Sequence, residues 1–189
     1  MKIFEKDIEK CLEVLKSGRL ILYPTDTVWG IGCDATKEKA VEKIYKLKKR
    51  SDEKAMIVLV AAEKDIMQHV AAPDLSLFDY LDKATKPTTV VYEGALGFAD
   101  NLVAKDGSIA IRICKDEFCR QLLKRFRKPI VSTSANISGI IAPKFFKEIS
   151  DEIKNGVDFI VHYKQQEENS AEPSSLIKWD NGNVTILRS

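Results

Sequence analysis

The chain has 189 residues, 44% of them hydrophobic, the composition of an ordinary soluble protein able to bury a real core in one domain spanning 1–189. Thirty Lys and Arg against 28 Asp and Glu leave a net charge of only +2, so any nucleic-acid contact has to come from local clusters. Cys11, Cys33, Cys114 and Cys119 form no CxxC pair and read as buried thiols of a reducing compartment; with only His69 and His162 beside them, a structural zinc site is not expected. The charged start MKIFEKDIEK is unlike a secretory leader, and no run approaches the roughly 20 apolar residues of a membrane span. Cytoplasmic placement and no membrane contact are the expectations.

In chain order, Ile8, Leu12 and Leu15 mark one face of a helix that Gly18 closes, and residues 19–23 follow as a strand. The next stretch, YPTDTVWGIGCDA (23–35), sets Thr25, Asp26, Thr27 and two bare glycines at the mouth of that strand. GIGCDA formally fits the dinucleotide fingerprint, but helical periodicity begins only at Thr36, a possible N-cap, so the glycines do not open a helix onto a pyrophosphate. A helix is predicted over 36–49, then strands at 55–60, 88–94, 108–113, 128–134, 157–163, 174–179 and 183–188, with helices at 116–126 and 145–153. Asn181-Gly182 between the last two strands favours a type I′ hairpin, so the sheet is expected to be mixed. Residues 164–173 are polar and aperiodic and read as a mobile loop, a candidate lid.

Three signals bear on chemistry. KLKKRSDEKAM (46–56) gathers Lys46, Lys48, Lys49, Arg50 and Lys54 at the end of a helix; the pattern suits either a solvated cationic helix terminus or an anion site. VSTSANISG (131–139) crowds hydroxyls and an amide at a strand end, as a small polar turn or as a set of donors and acceptors for ligand oxygens. Arg112 lies inside an alternating strand, where burial would demand an anionic partner, and Arg188 stands near the chain end. There is no Walker-type phosphate loop.

Together these runs resemble the YrdC/Sua5 family of threonylcarbamoyl-AMP synthases. YPTDTVWGIGCDA is similar to that family's YPTDTVYGLGCDA, with Trp29 for Tyr and Ile31 for Leu. KKRSDEKAM matches its K-x-R segment at Lys48 and Arg50, STSAN its S-x-N signature at Ser134 and Asn136, SIAIRI its V-x-V-R strand, SSLI its later S-T strand and ILRS its closing I-x-R. The resemblance implies a single α/β domain with a twisted mixed sheet flanked by helices, of the YrdC/RibB type, around a cationic cavity. It also implies an adenylation: L-threonine and bicarbonate give N-carboxy-threonine, whose carboxylate attacks the α-phosphate of ATP, with Mg²⁺, to release pyrophosphate and threonylcarbamoyl-AMP. A tRNA threonylcarbamoyl-transferase complex then uses the product in threonylcarbamoyladenosine (t6A) modification of tRNA.

On this resemblance Lys48, Arg50 and Arg112 are the catalytic cations, and Thr25 and Thr27 face the threonine or its carbamate above the bare backbone of Gly30 and Gly32. Lys48, Arg50, Lys54, Ser134, Asn136, Ser174, Ser175 and Arg188 hold the nucleotide, and no protein metal ligand is implied. Ser51 and Lys54-Ala55 replace family prolines, and ATKPTT (84–89) replaces a W-P-G-P-L-T turn. The chain is similar to the short YrdC form or its YciO-like relative. The rival reading is a non-catalytic module that binds double-stranded RNA or tRNA through the same basic face. A carbamoyl-adenylate domain of hydrogenase maturation ranks last, since its zinc-finger-like parts have no counterpart here.

Overall fold

The computed structural model describes residues 3–50, 56–168, 172–180 and 182–189. The chain begins with helix α1 (Glu5–Lys16), which buries Ile8, Cys11, Val14 and Leu15, spaced three and four residues apart as a one-faced helix requires. Strands β1 (Ile21–Tyr23) and β2 (Gly30–Gly32) pair antiparallel around the 24–29 loop, and α2 (Glu38–Lys48) follows. After β3 (Ile57–Val60) come two short helices, α3 (Glu63–His69) and α4 (Ser76–Lys83), then β4 (Thr88–Tyr92) and β5 (Ile109–Ile113). Helix α5 (Glu117–Phe126), β6 (Ile130–Ser134), α6 (Asp151–Asn155), β7 (Phe159–Ile160) and the hairpin β8 (Ser175–Asp180) and β9 (Asn183–Arg188) complete the fold.

The strands described form one mixed sheet in the order β7-β1-β2-β6-β3-β5-β4-β8-β9. β3 and β5 are parallel, as are β4 with β8 and β1 with β7, and the other neighbours are antiparallel. This single α/β domain with helices flanking a mixed sheet is the architecture expected from the sequence. β6 runs through the middle, hydrogen-bonded to β2 on one side and β3 on the other, with Ile130 and Val131 buried. Helices α1 and α5 pack on one another, with Phe4 edge-on to Phe118 at 5.6 Å between ring centroids. All four cysteines are free and buried.

Several local expectations change. Thr36 does not cap α2: its amide and hydroxyl bond Asp34 Oδ1 at 2.9 and 2.6 Å, which closes an Asx turn one residue too early, and the helix starts at Glu38. The 157–163 strand keeps only Phe159–Ile160, because the amides of His162 and Tyr163 turn to the Asp7 carboxylate at 3.0 and 2.9 Å. The helix predicted over 145–153 is a 3₁₀ turn at Phe146–Glu148 and then α6, separated where the Ser150 hydroxyl caps the Ile153 amide. Strand β2 and helices α3 and α4 were not predicted.

In the hairpin, Asp180 pairs with Asn183 and Gly182 has φ +87°, while Asn181 lies outside the described residues. Of the 164–173 loop, 169–171 also lie outside. Its described start is tied down: Lys164 pairs with Asp116 at 3.0 Å and Gln165 Nε2 donates to the Val161 carbonyl at 2.8 Å.

Candidate active site

On the open face of the sheet a cavity of about 500 Å³ is lined by residues from seven strands and the loops between them. Its cations are Arg50, Arg112 and Arg188; its polar groups include Thr27, Ser108, Ser132, Thr133, Ser134, Asn136 and Ser174. Val28, Trp29, Met56, Ile57 and Leu176 supply apolar wall. Among the described lining residues none is acidic. Burial lowers the pKa of Arg50 from its ordinary value, and burial followed by the charge of Arg112 lowers that of Arg188. The Arg50 shift reports desolvation and the Arg188 shift adds the like charge of Arg112, and both costs are relieved by an anionic occupant.

Arg112 sits at the centre. It comes from β5, opposite Leu59 of β3, and is only 3% exposed. Its Nη2 lies 3.0 Å from Asp26 Oδ1 and donates to Thr27 Oγ1 at 3.2 Å, while its Nε has no hydrogen-bond partner among the described residues. Asp26 also accepts from the Lys115 amide at 3.4 Å. The pair satisfies the demand that a buried guanidinium find an anion, and it leaves one buried donor for a ligand or solvent oxygen.

The 24–29 loop is built by its own hydroxyls. Thr25 Oγ1 donates to the Val28 carbonyl at 2.9 Å and accepts from the Thr27 amide at 3.1 Å, and the two threonine hydroxyls lie 3.0 Å apart. Since Thr25 has spent its proton on Val28, Thr27 is the donor between them, and a lone pair of Thr27 takes the Arg112 hydrogen bond. Thr25 is thus buried inside the loop, and of the two only Thr27 lines the cavity. Trp29, against Phe146 at 4.8 Å between centroids, forms the adjoining wall.

The basic run 46–50 disperses. Lys46 pairs with Glu42 at 2.6 Å and Lys49 with Glu152 at 2.8 Å on the surface. Lys49 ends α2 in the left-handed conformation, which turns Arg50 toward the cavity. Lys48 is 1% exposed and does not line the cavity: its Nζ donates to the carbonyls of Ser134 and Asn136, each at 2.5 Å. Burial first, and the charge of Arg50 second, lowers its pKa to about 8. From behind, this ammonium holds the turn that presents Ser134 and Asn136. The Asn136 amide is fixed in turn by donating to the carbonyls of Ile137 at 3.1 Å and Ile140 at 2.5 Å. Lys54 lies outside the described residues.

Ser174, just before β8, and Ser175, its first residue, lie on opposite sides of the sheet. Ser174 is buried on the cavity side, 2.8 Å from Thr89 Oγ1, and its carbonyl accepts from Arg188 Nε and Nη2 at 3.2 and 2.9 Å. Ser175 points to the other face, toward Lys83, Thr88 and Ile186. The glycines also divide. Gly30 lines the cavity, whereas a Cβ on Gly32 would meet Tyr23 Cε1 at 2.6 Å and the Val131 carbonyl at 2.9 Å, so Gly32 is bare for the sake of the protein's own packing. Ser132 and Thr133 belong to the hydroxyl-rich run 131–139, which assigns neither an individual role, and Ser108 has no such signal in the sequence. The period of two along β6, read back from Ser134, places Ser132 on its face.

A basin of arginines ringed by hydroxyls, with no lining carboxylate among the described residues, defines a site for an anionic ligand. Comparison with known proteins places it: the Sua5/YciO/YrdC family model, described as "Telomere recombination", matches residues 13–189, and the chain belongs to this family. The threonylcarbamoyl-AMP synthase of Photobacterium profundum is 31% identical over 150 residues, 78% of this chain and 81% of its own. Among solved structures, P. abyssi Sua5 complexed with L-threonine superimposes with a TM-score of 0.86 at 21% identity, covering 100% of this chain. This chain spans just over half, 55%, of that one. E. coli YciO gives a TM-score of 0.83 at 19% identity over 97% of this chain and 89% of its own.

Proposed function

We propose that the protein is an L-threonylcarbamoyladenylate synthase, converting L-threonine, bicarbonate and ATP into threonylcarbamoyl-AMP and pyrophosphate for t6A modification of tRNA. The observation that carries this reading is the cationic cavity, which gathers Arg50, Arg112 and Arg188 beside Thr27, Ser134, Asn136 and Ser174. Curated relatives named threonylcarbamoyl-AMP synthase support it, as does P. abyssi Sua5 with L-threonine. They make the protein a transferase of tRNA processing; the nucleotidyl-transfer step is the proposal.

In the reaction, N-carboxy-threonine presents its carbamate oxygen to the α-phosphorus of ATP. The P–O bond to pyrophosphate breaks as the new one forms, and the leaving group carries the electron pair away. Two anions have to be held together for this, and Arg50 and Arg112 offset their repulsion; Arg112 adds the free Nε donor. The carbamate is short-lived in water, so holding it beside ATP supplies much of the remaining advantage. Thr27 accepts from the threonine side. Ser134, Asn136, Ser174 and Arg188 bind the nucleotide, and the apolar wall at Trp29, Ile57 and Leu176 accepts uncharged parts of the substrates. Lys48 and Thr25 act from behind this surface, as supports of the Ser134–Asn136 turn and of Thr27.

Among the described residues no group of three or more His, Cys, Asp or Glu side chains could hold a metal ion, so Mg²⁺ in this reading arrives with ATP and neutralises its phosphates. The product is handed to a tRNA threonylcarbamoyl-transferase complex in the cytoplasm. No helix among the described residues is long and apolar enough to cross a membrane. The test is pyrophosphate release from ATP with L-threonine and bicarbonate added singly and together. Release that needs both supports the reading. A folded protein that binds RNA but releases no pyrophosphate with both present supports the RNA-binding alternative.

A further inference from the structure

A second cavity, of about 550 Å³, opens between the end of β3, helix α3 and the end of α5, and shares no lining residue with the candidate active site. Its charged edge is Lys64, Lys124, Arg127 and Lys128, with Gln68 and His69 beside them and Val60, Leu123 and Pro129 as apolar wall. Lys128 is neutralised by Asp34 at 2.9 Å. Lys64, Lys124 and Arg127 have no acidic partner among the described residues. The one carboxylate in the cavity, Asp65, is engaged by the amides of Ala61 and Ala62, both at 3.0 Å.

Cations in the last turn of a helix complement its dipole, and that accounts for Lys124. It does not account for Lys64, which comes from a different helix and brings like charge to the same cavity. All three are exposed at the rim, so water and salt screen their mutual repulsion, and an anion bound among them would offset what remains. The residue types suit phosphate, with a planar fork on Arg127 and point charges on two lysines lining the same cavity. The size of the cavity falls in the range of small-molecule sites, roughly 300–1,000 Å³, and its apolar wall would receive the organic part of a phosphate ester.

We infer that this cavity is a second anion site, separate from the candidate active site, which binds a small phosphorylated anion through Lys64, Lys124 and Arg127. The inference does not rest on the proposed synthase reaction. The test is a titration of the ¹⁵N-labelled full-length chain with inorganic pyrophosphate and, separately, with AMP, following amide resonances at Gln68, Leu123 and Arg127 for this cavity and at Gly30 and Ser134 for the other. Saturable shifts at the first set, weakened about tenfold or more in a K124Q/R127Q variant whose second set and thermal melting are unchanged, are expected. Saturation by pyrophosphate alone identifies an inorganic phosphate site, and tighter saturation by AMP a phosphate-ester site; either supports the inference. No saturable shift at the first set overturns it, as does an equal response to sulfate at matched ionic strength, an unchanged response in the variant, or a response to duplex RNA alone.

Discussion

Replacing Lys48 with methionine keeps most of the length of a buried side chain and removes the ammonium that donates to the Ser134 and Asn136 carbonyls at 2.5 Å. In the folded protein the Lys48 pKa is lowered from 10.5 to about 8, chiefly by burial. A depression of that size corresponds to about 3 kcal/mol. Because the folded value lies below the unfolded one, the unfolded chain holds this proton more tightly, and the wild type bears the whole penalty below about pH 8. The penalty disappears as pH rises through the window between the two values. Wild-type stability relative to K48M should therefore rise by roughly 2–3 kcal/mol between about pH 7 and 10. Urea unfolding of both proteins across that range measures it, and comparison with K48M subtracts the other groups that titrate there. A pH-independent difference would refute the placement of a charged ammonium behind the Ser134–Asn136 turn.

Three further substitutions probe the site. R112K keeps the charge beside Asp26 but loses the fork and the Nε donor, so adenylate formation should fall on the order of a hundredfold while thermal melting changes little; near-wild-type turnover would remove Arg112 from its assigned role. G32A forces a methyl group against Tyr23 and the Val131 carbonyl and should cost about 1–3 kcal/mol in denaturant unfolding. G30A, whose Cβ would first meet the Ser132 hydroxyl at 3.1 Å, should be milder, and equal costs would contradict the division between the two glycines. S174A should raise the KM for ATP while S175A leaves it unchanged, because only Ser174 is on the cavity face; the reverse order would mean that the register of β8 is misassigned.

Much of the architecture was legible because periodicity and punctuation agreed. The Ile8-to-Leu15 stripe, the alternating run at 108–113 and the Asn-Gly pair before β9 each specify an element without reference to distant residues. Strand β2 was hidden because Gly-Ile-Gly has almost no strand propensity; it forms because β1 and β6 pair with it on both sides. The lost end of the 157–163 strand depends on Asp7, a carboxylate far away in sequence.

The same distinction governs the site. Motifs brought Thr27, Arg50, Arg112, Ser134, Asn136, Ser174 and Arg188 to one cavity. No motif shows that Lys48 turns inward to the Ser134 and Asn136 carbonyls while Lys46 and Lys49 find surface acids, since those partners lie far away in sequence or on different faces of α2. Nor could spacing show that Asp26 would meet Arg112 from a separate loop.

The most direct test of the proposed function is mass analysis of the product formed from ATP, L-threonine and ¹³C-bicarbonate. The proposed reaction yields threonylcarbamoyl-AMP whose mass rises by the label, incorporated at the carbamoyl carbon and absent when threonine is omitted. A folded, ATP-binding protein that forms no labelled adenylate, or only an unlabelled threonyl-adenylate, would contradict it.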